Sequence, residues 1–374
     1  MFDQKNKPKL ALIGFRLGGG GSDKVMANLS IFFENNGFDV DIIIVYDEIS
    51  FPYSGNVVNL GLLKNKSNGI FNKFNRLFAL RKHLKENKFD FIIDFRFRTK
   101  IFQEFIIAKF IYNTKTIFTT HSYLIDHYMP NNSFLTRLMY NNCYANVAIV
   151  PEMKEKMIAM HQLKNVETIA NPLNINEIIE KSNQEINLDF EFIIAVGQYE
   201  NPIKQFDKLI ESYAKSDLIN KNIHLLILGS GDKIMLENIA KNNNISSKVH
   251  FLGYQENPFK FIKKAKFLIL CSRFEGFANV LAESLACSTP VISFDCKCGP
   301  NQIVIHNFNG ILVENQNFEA LTIAINKLSD DKDLYNFCKQ NAFESIQKFS
   351  LDNIGKQWIN LLKPDYALEF VMKT

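Results

Sequence analysis

The chain has 374 residues, 47% hydrophobic and 22% charged, an ordinary globular composition and more chain than one core usually accommodates, so two domains are expected. No apolar run reaches the roughly 18 residues that a membrane span needs, and the apolar stretch 10–15 is too short for a secretory signal, so the chain is expected in the cytoplasm. The net charge of +4 hides an asymmetry: residues 1–150 hold 19 Lys/Arg against 12 Asp/Glu, and residues 64–115 alone hold 13 against 4, a surplus suited to an anionic partner.

Taken in chain order, β-branched and aromatic runs at 9–15, 39–45, 89–95, 115–121 and 145–150 read as buried parallel strands. Stretches 22–37 and 70–88 between them have apolar spacing near 3.6 and read as helices. The pattern restarts at 190–197 and continues at 222–231, 248–253, 265–272 and 289–295. Two such sets imply an α/β protein of two Rossmann-like, doubly wound domains, with ligands at the carboxyl ends of the strands and a cleft between the domains. The expected boundaries are 1–172 for the first domain and 173–350 for the second. Residues 351–374 form a terminal helix and tail expected to return to the first domain. The polar stretch 171–189 is expected to be the linker.

Each candidate motif follows a strand. After the first comes "RLGGGGSDKV", whose glycines Gly20 and Gly21 would let a ligand approach the backbone at a helix start. Arg96, Arg98 and Lys100 follow the third strand and suit an anionic head group, on the acceptor or membrane side. His121 ends the fourth. In the second half, Gln198 and Lys204 follow a strand end, where a lysine can meet phosphate as a mobile point charge. Tyr254 follows another.

The segment "RFEGFANVLAESLACSTPVI" places Glu275 in a turn beside Gly276. A helix is expected to start near residues 277–279. Free N–H groups around Phe277, Ala278, Asn279 and Val280 could then hold a diphosphate. Glu275 would face what projects beyond that diphosphate, and Glu283, one turn into the helix, would face the nucleoside. Asp39 and Asp41 form an Asp-x-Asp pair, but at the strand edge away from the ligand end, so no metal is expected. The six scattered cysteines suit reduced thiols.

Together the glycine loop, the "TTHS" histidine, the "AVGQ…K" strand end and the E-x7-E segment followed by "STPVISFDCKCGPNQIV" and "NGILVE" resemble a retaining glycosyltransferase of family 4, with the GT-B fold. The resemblance implies that Gly20 and Gly21 line the donor phosphate, Lys204 contacts the diphosphate, Glu275 the donor sugar and Glu283 the ribose, with His121 near the reacting centre. It implies a hexosyl transfer from a UDP-sugar of the galactose or glucose series (UDP-Gal, UDP-GalNAc, UDP-Glc or UDP-GlcNAc), without metal or cofactor, to a saccharide or lipid-linked saccharide acceptor in cell-surface polysaccharide synthesis. One departure stands out: Gln198 occupies the position where the family usually has Arg.

The basic stretch 64–115 carries a further expectation of peripheral contact with the inner face of an anionic membrane. Nucleic-acid binding has no recognition module to support it. Two alternatives stay open: a UDP-sugar 2-epimerase, and a non-catalytic partner of another transferase. Acceptor-dependent release of UDP separates them.

Overall fold

The structure is a computed structural model that describes residues 7–64 and 69–362. It divides into two compact units. The first comprises the described residues up to Leu173 together with helix Leu351–Leu362, and the second comprises Asn174–Ser350.

Seven parallel strands form the first sheet: β1 (Lys9–Gly14), β2 (Asp39–Ile44), β3 (Asn56–Asn59), β4 (Phe91–Asp94), β5 (Lys115–Thr120), β6 (Ala145–Ala148) and β7 (Val166–Thr168). Their order is β3-β2-β1-β4-β5-β6-β7. Because helical crossovers cover such a sheet, its strands are near-continuous apolar runs. Leu10 to Ile13 and Ile42 to Ile44 are at most 1% exposed. Neighbours Leu10, Val40 and Phe91 share one register.

The second sheet holds β8 (Phe192–Val196), β9 (His224–Leu228), β10 (Val249–Phe251), β11 (Leu268–Leu270), β12 (Val291–Phe294) and β13 (Gly310–Val313), again all parallel, in the order β10-β9-β8-β11-β12-β13. Both sheets therefore reverse strand order once, between β1 and β4 and between β8 and β11. In doubly wound sheets, ligands bind beyond the strand carboxyl ends at that point.

Two local findings differ from the sequence reading. The stretch expected as a plain linker contains helix Ile175–Ser182, which buries Ile175 and Ile178 and starts on an Asn174 side chain accepting from Glu177 N at 3.3 Å. This helix packs against helices Phe259–Lys264 and Asn279–Ala286. Strands β3, β7 and β13 also extend the sheets beyond the predicted runs.

Helix Leu351–Leu362 packs in the first unit on helix Gly21–Asn35. It buries Ile354, Trp358 and Ile359, and Gly355 lies flat against the Phe32 ring. Tyr144 Oη donates to the Leu361 carbonyl at 2.9 Å. Of the basic stretch 64–115, residues 65–68 lie outside the described residues, as does the tail after Leu362. Among the described residues no helix is long and apolar enough to cross a membrane.

Candidate active site

In the second unit the loops after β8, β11 and β12 are tied together by backbone hydrogen bonds. Arg273 N donates to Ile203 O at 2.9 Å and Glu275 N to Lys297 O at 3.1 Å, while Phe274 pairs with Lys297 in a parallel bridge. Asn201 shapes the first loop by accepting from Ile203 N at 3.0 Å through its side chain and from Lys204 N at 3.0 Å through its carbonyl.

These turns bring together two residues 71 apart in sequence. Lys204 Nζ donates to Glu275 Oε1 at 2.7 Å, with side chains 20% and 13% exposed. Lys204 also runs along Gly197, where a methyl group would meet its Cγ at 3.2 Å. The pair thus sits at the switch point of the sheet, partly shielded yet reachable from solvent.

Helix Asn279–Ala286 starts four residues after Glu275. Its entry is set by unusual backbone: Ala278 precedes it at φ 63°, in the left-handed region, which costs a residue with a Cβ about 1–3 kcal/mol and persists only where the surroundings enforce it. Gly299, at φ 96°, presses on Phe277, and a Cβ there would stand 2.7 Å from the Phe277 carbonyl carbon. Phe277 is buried, edge-on to Phe349 at 5.0 Å. Leu281 N closes the first turn on the Ala278 carbonyl at 2.9 Å, and the positive end of the helix dipole favours an anion there. Asn279, Val280 and Glu283 are half-buried, Gly276 likewise, and Gln198 and Tyr254 are exposed. Thus Lys204, Glu275 and the helix start are one local constellation.

In the first unit the glycine loop follows β1. Gly20 precedes helix Gly21–Asn35, and Gly19 adopts φ 85°. Beside it lies a polar cluster that sequence reading missed: Arg16 bonds Glu48 at 2.7 Å and approaches Asp23 at 3.4 Å. Burial pushes the Asp23 carboxyl up to about 6, against the pull of Arg16.

His121 follows β5. Its Nε2 lies 2.9 Å from Thr119 Oγ1, its ring stacks on Phe95, and Nδ1 is sealed from solvent. Burial pushes this imidazole down to about 4, with Asn171 opposing the fall and Arg98 adding to it. It is therefore neutral near pH 7.

Arg96 and Arg98 require a correction. Both are buried, 4% and 1% exposed, rather than open to an anionic head group. Arg96 is clamped by Asp94 at 2.8 Å and Glu104 at 2.9 Å, and Tyr112 Oη donates to Asp94 at 2.8 Å. Arg98 donates to the carbonyls of Tyr128 and Thr119 at 3.0 Å and of Arg96 at 3.1 Å. Its guanidinium also lies over the rings of Phe118, Tyr128 and Tyr140. Both arginines hold the β4 end in place, whereas Lys100 is exposed.

Lys100 does border a cavity of about 200 Å³ at the carboxyl edge of the first sheet, shared with Phe15, Tyr46, Lys73, Arg76 and Phe97. Phe15 stacks with Tyr46 at 5.7 Å and with Phe97 at 6.3 Å. Of the Asp-x-Asp pair, Asp41 is buried with His83 Nε2 at 2.6 Å and Asp39 is exposed. Among the described residues no group of three or more His, Cys, Asp or Glu could hold a metal ion.

The chain matches two family models, "Glycosyltransferase Family 4" over residues 19–177 and "Glycosyl transferases group 1" over residues 176–345. It is 28% identical to the N-acetylgalactosamine-N,N'-diacetylbacillosaminyl-diphospho-undecaprenol 4-alpha-N-acetylgalactosaminyltransferase of Campylobacter jejuni, over 95% of this chain and 99% of that one. A second Campylobacter jejuni relative, GalNAc-alpha-(1->4)-GalNAc-alpha-(1->3)-diNAcBac-PP-undecaprenol alpha-1,4-N-acetyl-D-galactosaminyltransferase, is 31% identical over 78% of this chain and 80% of its own. Among solved structures, Anabaena Alr3699/HepE in complex with UDP and glucose superposes with a TM-score of 0.76 at 17% identity, covering 95% of this chain and 99% of that chain. A glycosyltransferase from Rickettsia africae superposes equally well, at 0.76 and 18% identity, over 96% and 98% of the two chains. At these identities the two structures bear on the fold alone.

Proposed function

Because the chain belongs to glycosyltransferase family 4, we propose that it moves a hexosyl unit, with retention of anomeric configuration, from a UDP-sugar to a lipid-linked saccharide in the synthesis of a cell-surface glycan. UDP-GalNAc is the first donor to test, since both Campylobacter relatives carry N-acetylgalactosaminyltransferase names with undecaprenol-linked saccharides.

The 2.7 Å pair of Lys204 and Glu275 beside the start of helix Asn279–Ala286 carries this reading. A donor diphosphate offers Lys204 a doubly charged partner and would draw it from Glu275. That frees the carboxylate to accept from sugar hydroxyls. Negative charge grows on the departing diphosphate as the sugar becomes oxocarbenium-like, and Lys204 and the helix N–H groups are preorganised donors for that charge. No metal is required in this scheme. The acceptor hydroxyl attacks from the face the diphosphate leaves, and passes its proton to a β-phosphate oxygen. His121, neutral near pH 7, offers hydrogen bonding rather than charge.

Gln198 brings no charge, so the role usually shared with an arginine falls on Lys204. In the first unit, the cavity of Phe15, Tyr46 and Phe97 with Lys73, Arg76 and Lys100 suits an acceptor with sugar rings and an anionic linkage. The test is incubation with a panel of UDP-sugars and a polyprenyl-diphosphate saccharide. Acceptor-dependent UDP release with an axial product linkage is expected. Release of an altered free sugar without acceptor would identify an epimerase instead, and binding without turnover a non-catalytic partner.

A further inference from the structure

A second cavity of the first unit, about 570 Å³, opens at the amino edge of the sheet and is used by nothing above. Its walls come mainly from the π-helical turn Ile107–Ile111, the start of β5 and the loop before β6. From Lys115 on this edge, β5 carries the chain to Thr120 beside His121, roughly 17 Å along the strand. The cavity is therefore distinct from the one bordered by Phe15 and Lys100 at the carboxyl edge.

Its charge has one sign. Lys109 and Lys115 line it together with Thr114, Thr116 and Asn142, and among the described residues no acid does. Two aspartates touch its walls, but their carboxylates are engaged elsewhere. Thr114 Oγ1 donates to the Asp90 carbonyl at 3.1 Å, while the Asp90 carboxylate accepts from Lys9 N at 2.8 Å. Asp94 accepts from Tyr112 Oη and from Arg96, both at 2.8 Å. Lys115 Nζ lies 5.3 Å from the centre of the Phe91 ring and 5.6 Å from that of Tyr144. Those faces hold the ammonium in place without neutralising it.

Two ammonium groups on one hollow of ligand size, with no carboxylate among its walls, favour an anion there. A bare phosphate would fill only a small part of that volume. The threonine hydroxyls and the exposed Asn142 amide supply neutral donors and acceptors of the kind that pair with a polyol. We propose that this cavity binds a small phosphorylated sugar, its phosphate between Lys109 and Lys115 and its hydroxyl groups against Thr114, Thr116 and Asn142. The site is additional to the transfer reaction and does not depend on it.

The test is isothermal titration calorimetry of the full chain with glucose 6-phosphate. Wild type should bind it saturably, and should bind glucose or inorganic phosphate about 10-fold more weakly. Joint Lys109→Gln and Lys115→Gln should weaken binding about 100-fold, whereas Lys204→Ala, at the other candidate phosphate site, should leave it unchanged. Cys143 reports the location without any substitution. It lines the cavity and is half-buried, while the other five thiols are buried. Glucose 6-phosphate at ten times its Kd should slow alkylation of Cys143 by iodoacetamide about 10-fold. Wild type that takes up no glucose 6-phosphate, a lysine variant that binds it as well as wild type, or a Cys143 alkylated equally fast with and without it overturns the inference. So does binding that Lys204→Ala abolishes, which would put the ligand at the second unit's Lys204 instead.

Discussion

A methyl group on Gly229 would run straight into the carbonyl oxygen of Gly197, because the ends of β8 and β9 meet at backbone contact. That contact sets the start of the loop that carries Lys204. Gly229→Ala must push the two strand ends apart, at a cost of about 1–3 kcal/mol. Urea unfolding should show the loss, and transferase activity should fall by more than stability explains.

Lys204→Ala removes a donor aimed at the leaving diphosphate. We expect kcat to fall about 10²–10³-fold, equivalent to about 2.7–4 kcal/mol of barrier, with a much smaller change in donor KM. Steady-state UDP release measures both. Turnover near that of wild type would remove Lys204 from the chemistry.

Arg96→Ala leaves the Asp94 and Glu104 carboxylates buried without their cation. Breaking a buried pair in this way typically costs about 3–5 kcal/mol, so the variant should melt far below wild type. Exposed Lys100→Ala should change stability by no more than about 0.5 kcal/mol. Equal melting temperatures for the two would contradict the buried clamp.

His121 gives the fold a pH dependence of definite sign. Its folded value of about 4 lies below the ordinary 6.5. Between these values the unfolded chain takes up a proton that the folded ring refuses, so stability falls as pH drops from 6.5 toward 4, by up to about 3 kcal/mol. Asp23, held up to about 6 from 3.8, acts the other way over that window. The drop in melting temperature between pH 7 and pH 5 should shrink in His121→Asn. An unchanged drop would assign it to other groups.

Chelation tests the metal-independent scheme. Activity of protein purified in EDTA should be unaffected by added Mg²⁺ or Mn²⁺. A requirement for either would mean that Lys204 and the helix N–H groups do not suffice for the diphosphate.

Much of the architecture was legible because fully buried parallel strands must be continuous apolar runs, as at Leu10 to Ile13 and Leu225 to Leu228. The strands that escaped notice are short, and β3 (Asn56–Asn59) and β7 (Val166–Thr168) carry polar residues at the sheet edges. The pairing of Lys204 with Glu275 followed from strand order, since β8 and β11 flank the reversal. Arg96 misled for the opposite reason. Its position after β4 was read correctly, but its fate depends on Glu104, eight residues on, folding back to join Asp94 around it. Residue type at a strand end does not reveal whether a counter-ion arrives first.

The bond from Leu351 N to the Leu173 carbonyl, 2.8 Å long, has a topological consequence. The polypeptide departs from its first unit and re-enters it at neighbouring points, so residues 174–350 are a guest spliced into a host whose helix Leu351–Leu362 is synthesised after the guest. The host's Phe32 stays uncovered until Gly355 emerges from the ribosome. The guest can therefore mature first, and a nonsense mutation early in helix Leu351–Leu362 would spare it while leaving the host unfinished.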